Sequence, residues 1–232
     1  MGVLVKRFSI LAILLSFLGV EKIAHADKFV PLPAVGGKNK NLKIKFVKYD
    51  GGTNGQMVVE IRNSSKAKQK FAADGIYFVP KGNPDSAPQR LGASGPMLEI
   101  ARNKKLLKQT RSLQLAPGET KKIRLEVFCI DSHRSSPNRS TKFSIAKKLL
   151  PKKLRRKLRT GNERIYRKYK NNLKRAKSAI QSNMWKTRDA KWDKLQGERA
   201  NEKAQKRSPS RYQNHGNRRP IRRHKRPLQL KN

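Results

Sequence analysis

Ile123-Arg124-Leu125-Glu126-Val127-Phe128-Cys129 decides the fold class of this chain. Ile123, Leu125, Val127 and Cys129 alternate with Arg124 and Glu126, the period-two pattern of a strand with one buried face. Immediately before it, Ala116-Pro117-Gly118-Glu119 reads as a turn, and Ser112 to Leu115 alternates as a shorter strand.

Working outward, more strands follow the same logic. Leu42, Ile44 and Phe46 alternate with Lys43 and Lys45, and Val47 breaks the period before Tyr49. Asp50-Gly51-Gly52 and Asn54-Gly55 are turn signals. Met57 to Ile61 is the next apolar run, stopped by Asn63-Ser64-Ser65. Lys68–Ala72, Ile76–Val79 and Met97–Ala101 are shorter candidates, and residues 80–96, rich in Pro and Gly, read as a loop. Six or seven short strands with turn chemistry between them predict an antiparallel β-sandwich over 42–146.

Two segments carry a family resemblance. One is Val58-Val59-Glu60-Ile61-Arg62-Asn63 followed by Asp74-Gly75-Ile76-Tyr77-Phe78. The other is Leu113-x-Leu115-x-Pro117-Gly118-Glu119 with Val127-Phe128-Cys129-Ile130-Asp131-x-His133-Arg134-x-x-Pro137. They resemble a group of secreted bacterial immunoglobulin-like β-sandwich domains. A helix after the sandwich in that group carries a Gln-x-x-x-Trp element, and Gln181-Ser182-Asn183-Met184-Trp185 is similar. The likeness spans about residues 42–192 and implies an immunoglobulin-like fold and a bacterial source. The group has no established catalytic role, so the likeness bears on fold more than on activity. This chain departs from it in being far more basic.

The ends of the chain set the biological class. Lys6 and Arg7, an apolar run from Phe8 to Val20, and Ala24-His25-Ala26 make the pattern of a cleaved secretory signal over 1–26. The run is shorter than the roughly 20 residues of a membrane span, and no later run is long enough to be one. Residues 27–41 form a leader segment. The expected location is periplasmic, extracellular or at the cell surface. One cysteine, Cys129, provides no internal disulfide framework. The net charge is +42, and residues 147–232 hold 31 of the 57 Lys and Arg. Such a balance speaks to association with anions, not to fold.

The region 147–205 reads as basic and helical. Leu154 and Leu158 give a short amphipathic helix with a Lys/Arg face over 151–159, broken at Thr160-Gly161-Asn162-Glu163, where Thr160 and Glu163 have capping-box spacing. Ile165, Tyr169, Leu173, Ala176, Ile180 and Met184 recur at helical spacing in a second helix from about 162 to 205. Its stripe must dock, on the sandwich or on a partner protein. From Lys206 onward there are ten Lys/Arg, no acidic residue and several prolines, the composition of a disordered cationic tail.

Arg155, Arg156, Arg218, Arg219, Arg222, Arg223, Lys225 and Arg226 are the expected polyanion contacts, because guanidinium groups grip phosphates bidentately. The partner would be an anionic polymer or membrane surface: lipopolysaccharide, a wall polymer or nucleic acid. A helix interface through Ile165, Tyr169, Ile180 and Trp185 is the alternative, with a protein partner. Trp185 and Trp192, seven apart, are helical core or a stacking platform. Cys129, Asp131 and His133 share one face of an extended strand, which suits a structural thiol at a strand end more than a metal site or a Cys/His pair. There is no Gly-rich phosphate loop, G-x-S-x-G or His/Glu metal motif. Neither enzyme, metal nor cofactor is expected.

Overall fold

The computed structural model describes residues 28–34, 39–52, 54–101, 103, 106–190 and 192–205. The signal segment and the tail with Arg218, Arg219, Arg222, Arg223, Lys225 and Arg226 lie outside the described residues. Among the described residues the strands are β1 (Val30–Pro31), β2 (Leu42–Tyr49), β3 (Gln56–Asn63), β4 (Gln69–Phe71), β5 (Tyr77–Pro80), β6 (Leu91–Ile100), β7 (Leu106–Thr110), β8 (Leu113–Leu115), β9 (Thr120–Cys129) and β10 (Phe143–Ile145). Three helices follow: α1 (Lys152–Lys168), α2 (Leu173–Ala190) and the single turn α3 (Glu202–Gln205). None is long and apolar enough to cross a membrane.

The protein is mainly antiparallel β. One sheet runs β1-β2-β3-β9-β6-β5-β10, with β7 added to β6, and a two-stranded sheet pairs β4 with β8. The large sheet curls until it is nearly closed. The Phe143 ring of β10 comes within 5.9 Å of Phe46 and 5.5 Å of Tyr49 on β2. β9 sits at its centre, with Val59 opposite Ile123 and Met57 opposite Leu125. Inside the curl, Ile44, Met57, Val59, Ile61, Ile123, Leu125, Val127 and Cys129 form the main core, which Phe71 of β4 and Leu115 of β8 complete.

A second core lies on the outside of the sheet, under the helices. Tyr77, Val79, Phe128 and Ile130 meet Leu154 and Leu158 of α1, Ile180 and Met184 of α2, and Leu195. β5 and the end of β9 are therefore covered on both faces. That is why Tyr77–Pro80 and Val127–Ile130 are buried at every position and the alternation of β9 dies out at its end. The period break at Val47 is a bulge: the β2–β3 register shifts between Phe46 and Lys48, which returns Tyr49 to the core.

Three readings of the sequence need correction. Residues 91–96 are not loop but the first half of β6. The Ser94-Gly95-Pro96 segment falls where the β6–β9 register shifts between Ala93 and Met97, and a bulge is one place where a strand tolerates proline. β7 and β10 were invisible because the first does not alternate and the second is three residues long. The helices also divide elsewhere. α1 runs unbroken through Thr160-Gly161, and the chain breaks at Tyr169–Asn172, where α2 begins; α2 ends at Ala190 and residues 192–201 are not helical. Gly161 stays helical for a packing reason. A Cβ there would lie 2.7 Å from Nδ2 of Asn183, so the absent side chain lets α2 approach α1.

Gly75 is a second such position. Its φ is +84°, and a Cβ would meet the Arg155 side chain at 1.9 Å. Gly75→Ala combines a left-handed backbone with a contact that must move Arg155, so it is expected to destabilise the protein by more than about 1 kcal/mol, read as a lowered urea midpoint at unchanged slope.

Candidate anion-binding site

The helices are held to the sheet by polar pairs as well as by the second core. The Gln181 amide acts like one more strand residue for β9: its Nε2 donates to the Cys129 carbonyl at 2.7 Å, and its Oε1 accepts from the Cys129 N–H at 2.9 Å. One helical turn later, Trp185 Nε1 donates to Gln89 Oε1 at 3.1 Å. The Gln-x-x-x-Trp spacing thus places two side chains on one helix face, each bonded to the β-domain.

Beyond α2 the chain folds back as a strap that ends in a buried ion cluster. Arg90 is fully buried. Its Nε and Nη2 donate to the two oxygens of Asp131, each at 2.6 Å, and Nη2 also reaches Glu202 at 3.0 Å. Arg134 grips the same Glu202 carboxylate through Nε (2.7 Å) and Nη2 (2.8 Å), and His133 Nε2 lies 2.9 Å from it. Burial alone would raise the pKa of Glu202. The hydrogen bonds from His133 and Arg134 and the charge of Arg90 overcome it and hold the carboxyl well below its ordinary range. Arg188 is 1 % exposed and lies 3.9 Å over the Trp192 ring; burial depresses its pKa against the pull of Asp131.

This cluster settles where the chemistry-bearing residues near β9 go. Cys129 points into the main core, where burial pushes its thiol up to about 12. Asp131 is committed to Arg90, and His133 to Glu202. Among the described residues no group of three His, Cys, Asp or Glu is placed to hold a metal. Trp192 lies past the end of α2, not on its face, and its ring also approaches His133 at 5.9 Å.

With its apolar side packed, α1 presents a cationic side. Lys153, Arg156, Lys157, Thr160 and Arg164 recur at spacings of three, one, three and four, which is one helical stripe. With Gly161 and with Asn183 of α2 they line an open cleft of about 640 Å³ that contains no carboxylate. The first turn of α1 holds no acidic residue, so the positive end of the helix dipole adds to the lysines there. Glu163, the lone acid of α1, is drawn to Arg111 at 3.2 Å.

The expected residues therefore separate. Arg156 lines the cleft. Arg155 does not; it lies half-buried over Gly75. The residues read as a helix interface mostly face inward: Ile180 is in the second core, Ile165 packs against it, and Trp185 packs against the main core. Tyr169 lies under the cations of Lys168 and Arg175. Lys153, Lys157, Thr160, Arg164 and Asn183 were not among the expected contacts, although the Lys/Arg face beside Leu154 and Leu158 was present in the spacing. Glu202 had no such signal, because its partners lie 68 and 112 positions away. Comparisons with protein-family models, curated proteins and solved structures find no match for this chain.

Two outcomes test the cluster and the thiol. A carboxylate whose pKa is lowered in the folded state contributes stability above the unfolded value of about 4.3, and that stability is lost as pH falls below it. Glu202→Gln is expected to cost about 3–5 kcal/mol at pH 7, the range for breaking a buried charge pair, and to flatten the acid limb of a stability–pH curve. Cys129 is expected to resist a thiol reagent in native protein and to react once urea unfolds it; labelling at equal rates in both states would contradict the buried thiol.

Proposed function

We propose that this chain is a non-catalytic binding protein whose basic C-terminal region attaches it to an anionic polymer or surface. The observation that carries the reading is the cleft between α1 and α2, rimmed by Lys153, Arg156, Lys157 and Arg164 with no carboxylate among its lining residues. Thr160 and Asn183 add neutral hydrogen-bonding groups within the same cleft. The stripe from 153 to 164 spans about 16 Å at 1.5 Å per residue, enough for several successive anionic groups of a polymer.

The rest of the reading follows from the sequence. The signal pattern over 1–26 directs the chain out of the cytoplasm, to a periplasm or cell surface, where lipopolysaccharide, acidic wall polymers and anionic lipids are the available polyanions. The cationic tail adds a second contact of the same sign. The β-domain, whose motifs resemble those of immunoglobulin-like sandwiches, serves as the rigid mount. The reading as an assembly protein is less supported, because the apolar stripe it would use is largely spent on the protein's own two cores.

The test is binding of the full chain and two variants to lipopolysaccharide, anionic vesicles, an acidic wall polymer and DNA across a salt series. One variant is Lys153→Glu/Arg156→Glu/Arg164→Glu, and the other replaces Arg218, Arg219, Arg222, Arg223, Lys225 and Arg226 by Gln. On DNA, losing three phosphate contacts reduces the slope of log affinity against log salt by about 2–3. The helix variant is expected to show that reduction and to weaken binding to the preferred envelope ligand at least tenfold. Unchanged affinity and slope in the helix variant would remove the cleft from the function.

A further inference from the structure

The curled sheet does not close, and its seam forms a second concavity with different chemistry. β1 lies along β2 on one side of the seam, and β10 lies along β5 on the other. Between them runs a groove of about 610 Å³, within the roughly 300–1,000 Å³ of small-molecule sites. Leu32, Phe46, Phe143 and Ile145 line it, and the first three are 6 %, 6 % and 1 % exposed, so this floor is part of the packed core. Val30 stands on its wall and is one of two large apolar side chains that the described residues leave exposed. Lys28, Lys81 and Lys147 contribute the charges, and no carboxylate lines the groove.

An apolar floor under a cationic rim selects its ligand from two sides. A hydrated polyanion gains nothing from Phe46 and Phe143. A purely apolar molecule brings no anion to Lys28 and Lys147 on the rim. We propose that the seam binds a single-chain amphiphile with an anionic head, an alkyl phosphate or fatty carboxylate, its chain along the floor and its head between Lys28 and Lys147. The charge complementarity of the rim and the exposed Val30 wall commit the groove to this occupant. The inference stands apart from the cleft on α1: a different part of the fold, held by different residues, takes a ligand that needs an apolar chain.

The experiment is calorimetric titration of the full chain with butyl, octyl and dodecyl phosphate, each below its micelle concentration, in about 0.3 M salt to screen weak surface contacts. Each methylene that becomes buried strengthens binding by up to roughly fourfold. The expected result is one saturable site whose affinity climbs from butyl to dodecyl phosphate. Ile145→Glu, at a half-buried position, and the surface pair Lys28→Glu/Lys147→Glu should each weaken dodecyl phosphate at least tenfold. The triple charge reversal on α1 should leave it unchanged, which separates this site from the polyanion cleft. Equal affinity for butyl and dodecyl phosphate would overturn the proposal, as would equal affinity for dodecyl trimethylammonium. No uptake of dodecyl phosphate would overturn it too and assign the seam to another occupant, such as an extended peptide or residues 1–27.

Discussion

The whole C-terminal half depends on one buried cation, Arg90. Its guanidinium is removed from water completely, and such a group is tolerable only if fixed anions face it. Asp131 supplies the first from the end of β9. Glu202 supplies the second from 112 positions away, and in doing so ties down the strap after α2. Arg90 Nη1 also donates to the backbone carbonyl of Gln196, so the strap is held at more than its tip. The strap buries Leu195 in the second core. That core is what α1 and α2 lean on. Without this arrangement, helices carrying 14 Lys and Arg against two acids would have little reason to lie on a basic β-domain.

This gives the few acidic residues of the chain a disproportionate role. Of the five in residues 147–232, Glu202 closes the ion cluster, Glu198 accepts from the Leu195 N–H, Asp189 accepts from Ser132 and Glu163 draws Arg111. On the β side, Glu126 meets Lys177 of α2 at 2.7 Å. These carboxylates are placed at junctions between elements: Glu202 and Glu126 face cations that docking has desolvated, and Glu198 and Asp189 accept from a backbone N–H and a hydroxyl. On α1, Lys153, Arg156, Lys157 and Arg164 line a cleft with no carboxylate among its lining residues.

The β architecture was legible where a strand has one wet face. β2, β3 and the first part of β9 alternate, and even the Val47 irregularity was readable as a break in period. Legibility failed where both faces are covered, as in Tyr77–Pro80, or where a bulge admits proline, as at Pro96. In the helices, the apolar stripe pointed correctly to docking, but its break point did not follow from propensity. Gly161 reads as a breaker until the neighbouring helix is seen to need the space. Of the candidate site, Arg156 was visible from charge alone. Its separation from Arg155 was not, because adjacent basic residues differ only in which way the helix turns them.

The same separation explains how one basic region can be both packed and available for binding. On α1, residues 154 and 158 set the buried direction, so the side chains of 153, 156, 157 and 164 are forced outward by helical geometry. Their positions relative to one another are then fixed by the backbone, not by the search of flexible stems. A polyanion meeting this stripe encounters charges already spaced along a rigid axis, and the ordering entropy it must overcome is that of the side chains alone. A disordered cationic segment of equal charge would have to order its backbone as well. The α1 stripe is therefore the contact in which geometry can discriminate between one anionic polymer and another.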